Sequence, residues 1–113
     1  MGTLVYGPEA MRFEFDDELL AHVQALLTAK LKRNEPFFMW WSLPREQGSG
    51  RVSLWMHPNV PMMFEYKRVG RQQLSGPLLQ VLAVEAASAL GLDLSEHTER
   101  TGSGRPVPPL RVR

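Results

Sequence analysis

The chain contains no cysteine. That excludes a disulfide framework, a thiolate nucleophile and any zinc site built on thiolates. It also lacks an apolar run long enough to cross a bilayer, and its start, MGTLVYGPEAMRF, has neither the basic opening nor the apolar stretch of a secretory signal. We therefore expect a cytoplasmic protein with no membrane attachment. Signatures of catalysis are equally scarce. His22, His57 and His97 do not occur at a ligand spacing such as H-x-x-x-H and each reads as a satisfied surface histidine, Ser49 and Ser53 have no evident base partner, and GSGR lacks the lysine and spacing of a P-loop. Asp16, Asp17 and Glu18 are accounted for by the start of a helix. No catalytic residue, metal site or cofactor is read from this sequence.

What is present fits one folded domain. At 113 residues the chain can bury one modest core but not two. A hydrophobic content of 43% with a net charge of only +1 is far from a disordered composition. The charge is unevenly distributed. Residues 1–99 hold nine Lys and Arg against all twelve acids, a net −3, whereas RTGSGRPVPPLRVR holds Arg100, Arg105, Arg111 and Arg113 with no acid, a net +4. With its Pro and Gly content, the end of the chain reads as a flexible basic tail over 96–113, following a domain over 1–95.

Within that domain, TLVYG and MRFEFD are two β-type runs joined by a GPEA turn, and Met11, Phe13 and Phe15 alternate with Arg12, Glu14 and Asp16. A helix then starts at the Asp16 cap, carries Leu19, Leu20, Val23, Leu26, Leu27 and Leu31 as its apolar stripe, and ends among Lys30, Lys32 and Arg33. Three strands follow, at about 36–43, 51–57 and 61–67, with PREQGSG as a hairpin loop and HPNVP as a turn that two prolines keep out of the ladder. A second helix is expected to start near Ser75 or Gly76, with Pro77 in its first turn, and to run through Leu78, Leu79, Val81, Leu82, Ala86 and Ala89 to a Gly91 cap. The order ββαβββα implies an α+β domain with a mainly antiparallel sheet of about five strands and both helices on one face.

Five large apolar residues in a row, FFMWW, raise the question of what covers the second face of the third strand. Alternation assigns Phe37, Met39, Trp41, Leu43, Val52, Leu54, Met56, Met62, Phe64 and Tyr66 to the core. Phe38, Trp40, Trp55 and Met63, together with Ser42, Arg51, Ser53, His57, Glu65 and Lys67, fall on the opposite face. With both helices on the core side, the rings form an exposed patch of the kind that meets a partner. A second copy or another cytoplasmic protein would bury Phe38, Trp40, Trp55 and Met63 at the centre of an interface. Nucleic acid would instead stack on the rings, with Arg12, Arg51, Lys67, Arg105, Arg111 and Arg113 neutralising phosphates. A third arrangement folds a helix or the tail over the rings and makes them ordinary core.

MGTLVYG, FEFDDELLAH, AKLKRNEPF and GSGRVSLWMHPNVP, in this order over residues 1–67, resemble a family of short actinobacterial proteins of unknown function, many of which carry the label "ATP-dependent DNA ligase". Beyond Leu74 the correspondence weakens. The resemblance implies at most an association with DNA transactions. A ligase of that type needs a nucleotide-accepting lysine in K-x-D-G, whereas Lys67-Arg68-Val69-Gly70 has no aspartate, and the chain is too short for a nucleotidyltransferase domain. The expectation is thus a non-catalytic binding module, either self-associating or engaging a cytoplasmic protein, with a nucleic-acid accessory role as the alternative.

Overall fold

A computed structural model describes residues 1–107 of the chain. The elements are β1 (Gly2–Tyr6), β2 (Met11–Phe15), α1 (Asp17–Lys32), β3 (Phe37–Ser42), β4 (Arg51–Met56), β5 (Met62–Glu65), α2 (Gly76–Ala86), β6 (Leu92–Asp93), α3 (Ser95–Thr101) and β7 (Arg105–Val107), with one 3-10 turn at Arg45–Gln47. The class is α+β. Instead of one five-stranded sheet there are two sheets, β5-β1-β2-β7 and β4-β3-β6.

The division originates at HPNVP. β3 and β4 form the expected antiparallel hairpin, with Phe38 opposite Trp55 and Trp41 opposite Val52. Pro58 and Pro61 cannot donate to a ladder, so the chain turns away from β4, and β5 pairs antiparallel with β1, Leu4 facing Phe64 and Val5 facing Met63. The Gly7 N–H donates to the Pro61 carbonyl at 2.9 Å and continues that pairing into the turn. On the other side of β3, β6 adds a short parallel pairing, Met39 with Leu92 and Trp40 with Asp93.

Both sheets turn their apolar faces to one core. Leu4, Phe13 and Phe15 from the first sheet and Phe37, Met39, Trp41, Leu54, Met56 and Leu92 from the second are buried, with Leu19, Leu20, Val23, Leu26 and Leu27 of α1 and Leu82 and Ala86 of α2. Trp41 is the joint between the sheets: its indole meets Phe13 at 5.5 Å and Phe15 at 5.2 Å, both edge-to-face, the favoured geometry for ring quadrupoles. The face assignment made from alternation holds for Phe37, Met39, Trp41, Leu54 and Met56, which are buried, while Leu43, Val52, Met62, Phe64 and Tyr66 are partly buried against the same cluster.

Helix α1 begins as its residues dictate. The Asp16 carboxylate accepts the Leu19 N–H at 3.1 Å, and Asp17 and Glu18 occupy the first turn. Ser75 does the same for α2, accepting the Leu78 N–H at 3.3 Å. His22, expected at the surface, is instead fully buried between the two helices. Its Nδ1 lies 2.6 Å from the Glu18 carbonyl, and Nε2 accepts the Ser75 N–H at 2.8 Å. This arrangement requires the proton on Nδ1, and it fixes the start of α2 to α1.

Residues 96–107, read from composition as flexible tail, form α3 and β7. β7 pairs with β2, Glu14 facing Arg105. The Trp41 indole N–H donates to the Gly104 carbonyl at 3.0 Å, the Gly104 N–H donates to the Glu14 carbonyl at 2.6 Å, and the Asp16 N–H donates to Ser103 Oγ at 2.8 Å. Gly104 has φ +87°, and a Cβ there would fall on the Trp41 indole, so this close approach requires glycine. Arg111 and Arg113, also assigned to the tail, lie outside the described residues.

Candidate binding face

The outer side of β3 and β4 carries an aromatic cluster at solvent. Phe38 and Trp55, directly opposite across the pair, have ring centroids 4.8 Å apart and are 49% and 40% exposed. Their closeness follows from the ladder, which brings facing side chains within about 5 Å. His57 extends the row, its ring stacked on Trp55 at 6.0 Å and its Nδ1 accepting the Asn59 N–H at 3.0 Å. Trp40, half-buried beside Phe38, is held twice: its indole N–H donates to the Leu90 carbonyl at 3.2 Å, and the Arg51 guanidinium lies 5.1 Å over its ring. Two contacts thus hold the Trp40 ring, while Phe38 and Trp55 rest on each other.

The segment after α2 forms the border of the patch. Gly91, at φ +81°, lies so close to β3 that a Cβ would come within 2.5 Å of the Phe38 carbonyl, and this approach lays Ala87–Leu90 alongside the rings. Two open grooves result on either side of Phe38. One, of about 430 Å³, is bounded by Lys30, Glu35, Phe38, Trp55, Ala87 and Ala89. The other, of about 310 Å³, is bounded by Phe38, Trp40, Arg51, Ser53, Ala89 and Leu90.

Leu90 is 82% exposed, and on α2 Val81 and Val84 are also exposed, Val84 at 63%. Ala89 is at solvent as well. No charged residue occurs between Arg71 and Glu85, so the outer face of α2 carries Val81 and Val84 beside the neutral Gln80. Val81, Val84 and Ala87 follow one another at three-residue spacing on that outer face, and Ala87 opens into the groove beside Phe38. The signal was visible in the sequence, because valines on a helix with so little charge are normally covered.

The remaining expected site residues lie elsewhere. Met63 is exposed, but on the first sheet, opposite Val5. Arg12 is on that sheet too, its guanidinium 2.8 Å from Glu65. Arg105 is in β7, and Lys67 follows β5 with its side chain in solvent. Of the cations proposed for phosphate contact that fall among the described residues, Arg51 alone lies against the rings. Among the described residues no group of three His, Cys, Asp or Glu could hold a metal ion, and no helix is long and apolar enough to cross a membrane.

These features define a small α+β domain with an aromatic face at solvent. Residues 1–97 match the family described as a domain of unknown function, DUF7882, and the chain belongs to that family. No curated protein and no solved structure matches it significantly.

Proposed function

We propose that the protein is a non-catalytic binding module that docks protein through the outer face of β3 and β4, and that its first partner is a second copy of itself; a cytoplasmic protein of another kind is the variant of the same reading. The observation that carries this is the Phe38–Trp55 pair at solvent with Trp40 already fixed by Leu90 and Arg51. Interface centres favour rigid aromatic anchors of this type, because little side-chain entropy remains to be lost on binding. The rim admits a second copy. Glu35 is paired with Lys30 and Arg33, and Arg51 lies over Trp40, so the rim sets no strong charge of one sign against its own copy in a two-fold interface. The nucleic-acid alternative has less support, since Glu65 takes the charge of Arg12 and both Lys67 and Arg105 belong with the other sheet.

The test is the mass in solution, by sedimentation or light scattering, of the intact chain and of the Trp40→Ser, Trp55→Ser double variant. The intact chain is expected to be dimeric at high concentration and the variant monomeric with an unchanged far-UV spectrum. A monomeric intact chain would refute self-association. A dimer untouched by the substitutions would place the interface elsewhere.

A further inference from the structure

A second surface, separate from the aromatic face, has the chemistry of an anion site. The chain between β5 and α2 is tied to α1 at both ends: the Tyr66 hydroxyl donates to Gln24 Oε1 at 2.7 Å, and the Ser75 N–H donates to His22 Nε2 at 2.8 Å. Between these ties it arches over α1. The floor there is small, Ala21 and Ala25, and an open groove of about 1010 Å³ remains. Lys32, Arg68 and Arg71 line it together with Gln24, Thr28 and Gln72, and no carboxylate does. None of the three cations is in an ion pair among the described residues; the acid nearest in sequence to Lys32, Glu35, pairs with Lys30 and Arg33. Because Gln24 uses its carbonyl oxygen for Tyr66, its amide is left as a donor.

We propose that this groove binds a small ligand bearing adjacent phosphate groups. Two planar guanidinium forks and an ammonium match several phosphoryl oxygens at once, and three cations with no carboxylate in the lining select a polyanion over a neutral ligand. A nucleic-acid strand fits less well. The only ring in the groove, Tyr66, is half-buried with its hydroxyl engaged, so no free aromatic platform exists for bases, and the basic surface is not prolonged by Arg12, which Glu65 neutralises.

The experiment is calorimetric titration of the full chain with sodium tripolyphosphate at two salt concentrations, in parallel with ATP and a 20-nucleotide DNA strand. Tripolyphosphate is expected to bind, more weakly at high salt. Arg68→Gln, Arg71→Gln and Lys32→Gln should each weaken binding by about tenfold, the loss of one charge-assisted hydrogen bond, with unchanged thermal unfolding. Arg51→Gln and the Trp40→Ser, Trp55→Ser variant should bind as the parent does, so this proposal and the aromatic interface fail independently. ATP binding no more tightly than tripolyphosphate identifies the phosphates as the whole epitope; tighter binding adds a nucleoside contact to the same site. Absence of tripolyphosphate binding at millimolar concentration overturns the proposal. So does binding indifferent to the three substitutions, or tighter binding of DNA than of both small probes.

Discussion

The substitution Gly104→Ala asks whether a segment that looks like a tail is part of the core. Gly104 sits at φ +87°, where an L-residue pays about 1–2 kcal/mol for its Cβ. The new methyl would also meet the Trp41 indole at Nε1, Cδ1 and Cε2, and forcing an atom into a packed site costs about 1–3 kcal/mol. The lower backbone entropy of alanine in the unfolded chain returns about 0.4–1 kcal/mol. The net loss is about 2–4 kcal/mol, a large share of the roughly 5–15 kcal/mol typical of a domain. Urea unfolding followed by far-UV circular dichroism reads it as a midpoint lowered by about 1–2 M at an ordinary slope. In a Trp41→Phe background the five-membered ring that the methyl strikes is gone, so Gly104→Ala should cost less there, with a coupling of about 1 kcal/mol or more. A midpoint within error of the parent, or costs that simply add, would mean that residues 103–107 do not rest on Trp41.

Trp41→Ala should cost about 3–5 kcal/mol as a large-to-small change in the core, and Trp40→Ala clearly less; urea midpoints in the reverse order would show the two faces of β3 interchanged. His22→Ala removes the acceptor of a buried N–H and should cost about 1–3 kcal/mol, with faster amide exchange at Ser75 than in the parent; unchanged exchange there would refute the tie between α1 and α2. Burial, and secondarily the charge of Asp17, push the Tyr66 hydroxyl from 10.0 up to about 12. The unfolded chain therefore releases that proton first, so the Tyr66 contribution to stability is intact below pH 10 and lost as pH rises toward 12. The 295 nm titration of the chain minus that of Tyr66→Phe should have its midpoint near 12; a midpoint near 10 would mean an open, solvated ring.

Periodicity proved informative about faces and much less so about partners. Alternation in FFMWW separates Trp41 from Trp40 because a strand has only two sides. Nothing in that alternation says which edge β5 will pair with: Met62–Glu65 carries the same in-and-out pattern beside β4 or beside β1, and the choice is made by Pro58 and Pro61, which interrupt the ladder and turn the chain. The composition of SEHTERTGSGRPV misled for a related reason. Its attachment to the fold depends on backbone groups, the carbonyl and N–H of Gly104, and on the hydroxyl of Ser103. Such bonds leave no apolar pattern behind, and the glycine that the close approach to Trp41 requires reads in composition as an ordinary turn residue. His22 was misplaced because its neighbours in sequence show the α1 stripe but not what packs on the flank of that stripe.

One chain of contacts links the two proposed surfaces. α1 gives the groove its wall of Gln24, Thr28 and Lys32 and, two residues before Gln24, presents His22 to the first N–H groups of α2. α2 in turn delivers Ala87–Leu90 to the rings, where the Leu90 carbonyl receives the Trp40 indole. A ligand drawing Arg68 and Arg71 toward Lys32 would pull on the segment that ends at Ser75, and Ser75 is the cap of the helix whose far end borders Phe38. Coupling between the sites therefore requires that α2 move as a rigid body, and the His22–Ser75 bond is the element that both sites would bias. If that bond holds α2 in one position, the two surfaces act independently, and tripolyphosphate should leave the dimerisation constant unchanged. A dimerisation constant that shifts with tripolyphosphate would refute this independence, and by reciprocity the dimer would then bind tripolyphosphate differently from the monomer by the same factor.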